Sequence, residues 1–501
     1  MIASIQGLSR LPDDVLRDWR ERFEALGFDE RLIGEAERIA PRQFDAVRLP
    51  LVQWALARRD EPGARLARLF VYDDAVSRER LEAILGAAST AALLDSGIVS
   101  ADPADPAALR SSFRITPFRG LWILADDPAA GEHAVMGPGA TTAELADLMP
   151  REGLGRCLDV GCGAGSFALL AAARGAALAV GTDIDRRAVA IARFNARLNG
   201  VAAAFVQADL VAPWRAGSFD LVIAQPPYVV QPPGRAATTF LHGGPTGEEI
   251  SLRLLAGVPA VLAPGARALI LADAAVRPGE PLHERYRHAL GGAPVDLVVI
   301  AGPGASPDLQ AVGYAQLEAR SFDATYAASL RRYRDHLESL GVREFRHVLA
   351  IVRAAPRGAP DRQAITATLP IHGIDGCTAR ALDRYLAGVD LAARPDRSLA
   401  TCAVRLQDGA RWIDERDRAD GGGASRSRIE FPRGVLACGQ EVSEASTVLL
   451  GLLDGAETIE VATARYAEAC EAKPDDVRGA VLDFVRRSLA SGLLTAAGEG
   501  A

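Results

Sequence analysis

Cysteine is sparse in this 501-residue chain, and lysine is scarcer still. The six cysteines (Cys157, Cys162, Cys377, Cys402, Cys438 and Cys470) show no C-x-x-C spacing. That argues against a disulfide framework or a zinc site and favours a reducing cytoplasm; no metal is expected. The start, MIASIQGLSRLPDD, lacks an apolar h-region, so no signal peptide is expected. The longest apolar runs, such as ARALILADAAV, are too short to span a bilayer and contain a charge. A basic surplus is also missing. The net charge of −8 argues against a general nucleic-acid binder, because phosphate contacts need clustered Lys and Arg. No repeat of fixed period is visible.

What remains is the composition of an ordinary globular protein, with 49% hydrophobic and 24% charged residues. The length allows two to four domains. Residues 1–130 read as helical, with helical apolar spacing in VLRDWRERFEALGF. Within them, 62–126 resembles a small winged helix closed by the strand pair SSFRITPF and LWILADD, with Arg119-Gly120 at the turn. From 131 to 356, short strands alternate with helices: GRCLDVG, ALAVGTD, AAFVQAD, FDLVIAQ, ARALILAD, VDLVVIAG and FRHVLAIVRA. Such alternation predicts an α/β, doubly wound, seven-stranded sheet with ligands at the strand C-termini. Asp185 is the expected N-cap of RRAVAIARFNARLNG, with Gly200 past its end. A long excursion between the last two strands is placed to cover that face. Residues 357–501 read as a small α+β or winged-helix-like module.

DVGCGAGS follows the first strand and opens a helix. Glycines at 161, 163 and 165 let a ligand approach the backbone closely, and the helix N-terminus adds free N–H groups. A dinucleotide site wants G-x-G-x-x-G, but position 166 is Ser. Asp183, ending the second strand, suits ribose hydroxyls in either case. Asp209, ending the third, can accept from an adenine amino group.

Together these residues resemble the class I S-adenosylmethionine-dependent methyltransferases, whose sheet is Rossmann-like. The resemblance implies that Asp159, Gly161, Cys162, Gly163 and Gly165 form the cofactor loop. It further implies that Asp183 meets the ribose, that Asp209 and Leu210 meet the adenine, and that Ile184 also lines the cofactor. The segment MGPGATTAELAD, with Thr141 and Thr142, is expected to line the cofactor.

The fourth strand ends in Gln225, Pro226, Pro227 and Tyr228. Methyl transfer from a sulfonium is an in-line displacement, so the acceptor's lone pair must point at the methyl. QPPY resembles the N-P-P-Y motif of amino-directed methyltransferases such as the release-factor glutamine methyltransferases and ribosomal RNA guanine methyltransferases. There, a side-chain amide and a proline carbonyl accept the target's N–H groups. Prolines keep the loop rigid and poor in donors, and Tyr228 would wall a planar target. Gln225 departs from the pattern by one methylene, roughly 1.5 Å of reach. Three readings follow: a target nitrogen farther out, an amine or guanidinium still oriented by Gln225, or a spent motif on a cofactor-binding protein. Downstream, Arg235 is a candidate for a carboxylate or phosphate and His242 for a proton acceptor. The layout is also similar to that of bacterial methyltransferases of comparable length related to the glutamine-methylating group.

The expected activity is N-methylation of an amino, amide or guanidino group of a protein, peptide or amino-acid-like metabolite. RNA base methylation is the second reading, disfavoured by the charge, and a non-catalytic cofactor-binding regulator the third. A nicotinamide dehydrogenase would leave QPPY without a role. No membrane partner is expected.

Overall fold

The alternating segments fold into one sheet, and its register decides where the chemistry can sit. In the computed structural model the described residues are 3–38, 45–127, 130–234, 238–319, 322–357, 364–416 and 425–498. The sheet strands are β1 (Arg156–Val160), β2 (Leu178–Asp183), β3 (Ala204–Gln207), β4 (Phe219–Ala224), β5 (Leu262–Val276), β6 (Val295–Ala305), β7 (Glu344–Ala354) and β8 (Thr366–Pro370). Their spatial order is β8-β6-β7-β5-β4-β1-β2-β3. All neighbours are parallel except those of β7, which runs antiparallel to both β5 and β6.

The sheet therefore has eight strands, not the seven expected. The eighth, TATLP, lies in the stretch read as part of the C-terminal module and pairs Leu297–Ala301 with Thr366–Pro370. It is five residues long, half-polar and ends in proline, as an edge strand can and a central strand cannot.

Alternation along the strands explains the two-sided core. Leu221 and Ile223 of β4 pack on one face with the helices Ser166–Ala173 (α2) and Arg186–Asn199 (α3). Val222 and Ala224 pack on the other with Leu254, Leu255 and Val258 of Glu249–Val261. Fully buried Leu16, Trp19 and Phe23 of the helix Asp13–Ala25 (α1) join the first cluster, so the N-terminal region is packed against the sheet layer. Each such side chain contributes about 1.5–3 kcal/mol by leaving water. Asp185 caps α3 by accepting from Arg187 N–H at 2.8 Å, and Gly200 closes it at φ +65°.

Helices Pro62–Phe70, Arg78–Leu85 and Ala87–Asp95 carry a three-stranded sheet of Val76–Ser77, Ala108–Ser111 and Val99–Ala101, the order of a winged helix. The wing is thus VSA with ALRS, not the expected SSFRITPF–LWILADD pair. That pair forms a separate hairpin, Arg114–Phe118 with Leu121–Ala125, which turns at Arg119 and Gly120, both at positive φ. Buried Asn195 and Asn199 of α3 bond its backbone: Asn195 Oδ1 accepts from Leu124 N–H at 2.9 Å and Asn199 Oδ1 from Trp122 N–H at 2.8 Å. The excursion forms two helices, α4 (Pro307–Glu318) and α5 (Ala324–Ser339), over a small cluster containing Val229, Val230, Tyr314 and Tyr333. The remaining described C-terminal residues form helices and two small sheets; Leu382, Tyr385, Leu386 and Val389 of the helix Ala379–Ala392 join the first cluster, and most of the others surround a second core.

Candidate functional site

Strand register brings the singled-out residues to one edge. Val160, Thr182, Ala224 and Ile270 are level across β2, β1, β4 and β5, so the chain leaves the sheet together at Gly161, Asp183 and Gln225. Strand order reverses between β4 and β1, the crevice where open α/β sheets bind ligands.

The glycine loop turns sharply there, with φ +69°, +51° and +91° at Gly161, Gly163 and Gly165. Cys162 N–H donates to Thr182 O at 2.8 Å, which holds the loop against β2. Asn195 Nδ2 props it from behind through Ala164 O at 2.9 Å. Asp159 is buried and accepts from Ala168 N–H at 3.0 Å. Burial, with the nearby Asp183 charge, pushes its carboxyl up to about 7 against the pull of that bond. Asp183 accepts from Gly163 N–H and Asp185 N–H, both at 2.9 Å, and burial likewise raises it. Burial also pushes the Cys157 and Cys162 thiols up, so they are inert packing groups.

Beside the acid, Ile184 is 56% exposed and Met136 is 39% exposed. A Cβ at Gly163 would come to 3.4 Å from Met136 O. Asp209 lies open to solvent and pairs with Arg253 at 2.7 Å, while Leu210 adopts φ +51° and accepts from Thr182 Oγ1 at 3.2 Å. A glycine backbone open to close approach, a carboxylate and exposed apolar surface thus meet at one edge of the sheet. This set fits a nucleoside carrying a charged tail.

Gln225 is held from the helix Ala140–Asp147 (α6). Gly139 N–H donates to Thr142 Oγ1 at 3.2 Å, and the Thr142 hydroxyl donates to Gln225 Oε1 at 3.0 Å. Gln225 Nε2 donates to Thr141 Oγ1. The extra methylene spans to this threonine pair, so Thr141 and Thr142 meet the motif's amide. Oε1 keeps a second lone pair. The Tyr228 hydroxyl shares Thr141 and Gln225, and burial followed by the Asp273 charge raises its pKa.

The polar segment after QPPY folds back on it. Val229–Val230 pairs in parallel with His242–Gly244. A Cβ at Gly243 would lie 2.2 Å from Gly247 O and 2.5 Å from Pro227 O, so only glycine fits. His242 is buried: Nδ1 accepts from Thr238 N–H at 2.9 Å and Nε2 meets Tyr333 Oη at 3.1 Å. With Nδ1 accepting, Nε2 carries the proton and ties the loop to α5. Arg235 lies outside the described residues.

One cluster escaped the sequence reading. His347 of β7 sits directly opposite Asp273 of β5, with Nδ1 to Oδ1 at 2.8 Å, and its Nε2 is 3.4 Å from Glu144 of α6. Burial pulls the imidazole down, but the two carboxylates outweigh it and hold it at about 9. Each residue lies on a different element, and only pairing of β5 with β7 joins them. Among the described residues, no group of three or more His, Cys, Asp or Glu is arranged to hold a metal, and no helix is long and apolar enough to cross a membrane.

Residues 134–247, which contain the glycine loop and QPPY, match the model of the methyltransferase small domain family. This region resembles the methyltransferase domain of that family. Similar proteins include release factor glutamine methyltransferases of Deinococcus radiodurans (36% identity over 129 residues, 24% of this chain and 45% of that protein) and Rhodospirillum rubrum (38% over 169, 30% and 50%). Ribosomal RNA small subunit methyltransferase C of Chromohalobacter salexigens is 34% identical over 156 residues, 30% of this chain and 42% of that protein. The chain thus spans about half the length of each of these relatives, or less. The methyltransferase domain carries the likeness.

Proposed function

We propose that the protein is an S-adenosylmethionine-dependent N-methyltransferase acting on an amino, amide or guanidino group of a protein, peptide or amino-acid-like metabolite. The observation that carries this reading is the Gln225 amide, oriented by Thr141 and Thr142 at the end of β4 beside the glycine loop. S-adenosylmethionine supplies an electrophilic methyl on a sulfonium. The 161–165 loop and the start of α2 would hold its amino-acid tail, Asp183 its ribose, and Ile184, Asp209 and Leu210 its base. Gln225 Oε1, through its second lone pair, would accept one N–H of the target, and the Pro226 carbonyl another. Holding nucleophile and methyl about 3–3.5 Å apart supplies several kcal/mol of the barrier reduction. A target arriving neutral needs orientation more than proton removal. His242, bonded on both ring nitrogens, is a strut in this scheme and not a base.

The likeness to both glutamine and ribosomal RNA methyltransferases supports a nitrogen acceptor and keeps base methylation as the second reading. The test is to incubate the protein with methyl-labelled S-adenosylmethionine and an extract of its source organism, then separate protein, RNA and small molecules. Label in protein or amine fractions is expected. Label in RNA alone would replace this reading with base methylation, and none anywhere, with cofactor bound, would favour the regulator.

A further inference from the structure

A second polar site lies at the other end of α3. An open cleft of about 480 Å³ separates the helix Asp13–Ala25 from the C-terminal half of α3, and it is lined by Arg17, Arg20, Arg193 and Arg197 with Asp13 as the single carboxylate. Arg193 and Arg197 line the cleft, whereas Asn195, two positions from each, props the glycine loop, so the two sites lie on different faces of α3.

Structural duties account for part of the arginine set. Arg197 bonds Asp13 at 2.8 Å and the carbonyls of Leu8 and Leu11. Arg20 uses Nη1 on Leu198 O at 3.1 Å, and Arg193 uses Nε and Nη2 on Phe205 O at 3.2 and 2.7 Å. Each guanidinium has five donors, so Arg20 and Arg193 keep several free. Arg17 is exposed and has no partner among the described residues. Against four cations, three of them held by bonds to the protein, stand one carboxylate and the partial negative charge of a helix C-terminus, about half a charge. The chain as a whole carries −8, so this concentration of one sign is local.

We propose that this cleft binds phosphoryl oxyanions, either of a small phosphorylated molecule or of an RNA backbone. Planar guanidiniums match phosphate oxygens bidentately, and the bonds to backbone carbonyls hold Arg20 and Arg193 in place before a ligand arrives. The inference stands independently of which atom the domain methylates.

Two probes distinguish the sources. Pyrophosphate binding is measured by titration calorimetry, and a fluorescein-labelled single-stranded RNA of about 20 nucleotides by anisotropy between about 50 and 200 mM salt. At least one is expected to bind saturably. Arg17→Glu should weaken it by roughly tenfold, and Arg17→Lys should retain most of the affinity. Arg17 has no structural partner, so its variants should fold normally, as thermal unfolding would verify. Pyrophosphate binding alone assigns a small phosphorylated ligand. RNA binding whose salt slope falls by about one in Arg17→Glu assigns a nucleic acid. Absence of binding to both probes, or binding indifferent to Arg17→Glu, overturns the proposal.

Discussion

Shortening Gln225 to Asn withdraws its amide by one methylene, roughly 1.5 Å. Thr142 Oγ1 now stands 3.0 Å from Oε1, so the same contact in the variant opens to about 4.5 Å, beyond hydrogen-bond range. The Thr141 contact opens likewise. Two partly buried neutral bonds at about 0.5–1.5 kcal/mol each imply a stability loss of about 1–3 kcal/mol. Because several lone pairs can turn to water, the lower end is expected. A double-mutant cycle isolates the effect: Gln225→Asn, Thr142→Val and the pair, each followed by denaturant unfolding. The coupling should be about 1 kcal/mol, with the double variant less unstable than the sum. In methyl transfer, a target held against a displaced amide should react roughly 10- to 100-fold more slowly, with cofactor affinity nearly unchanged. Coupling below about 0.3 kcal/mol, the level of additivity between distant sites, would refute the clamp.

Asp183→Asn removes one of two acceptors, since its oxygens bond Gly163 and Asp185 N–H groups; S-adenosylmethionine affinity by calorimetry should fall at least about tenfold, as the loop loses its anchor. Gly243→Ala should cost about 1–3 kcal/mol or displace QPPY, because its Cβ meets Pro227 O and Gly247 O; denaturant midpoints and turnover should fall together. His347, raised from 6.5 to about 9, stabilises the fold fully below pH 6.5 and loses that contribution as pH rises through about 9. Unfolding midpoints measured from pH 6 to pH 10 should show this decline, of a few kcal/mol at most, and His347→Gln should remove it.

Features encoded within a few residues were legible in the sequence. DVGCGAGS, Asp183 and QPPY announce themselves by residue type and by offset from strand ends, and the register then aligns them. Thr141 and Thr142 were visible as polar residues ahead of the first strand, but their partner stands more than eighty positions away, and nothing local names it. The Glu144–His347–Asp273 cluster needs three elements paired correctly before it exists. Asn195 and Asn199 look like surface polar residues of an amphipathic helix; only the docked hairpin makes them interior pairing groups. The wing was misassigned because VSA and ALRS are too short to compete with the longer apolar hairpin that follows.

The eighth strand bears on how the molecule is made. β6 and β7 leave the ribosome before β8, so the outer edge of β6 waits with its backbone donors and acceptors bare until Thr366–Pro370 arrives. At roughly 5–20 residues per second, that interval lasts several seconds. Nascent chains stalled before residue 366 should therefore be prone to edge-to-edge association. A gene fragment ending at 356 should yield aggregates where one that includes both this strand and the helix Ala379–Ala392 stays dispersed. The catalytic sheet is finished by residues that sequence alone assigns to its neighbour.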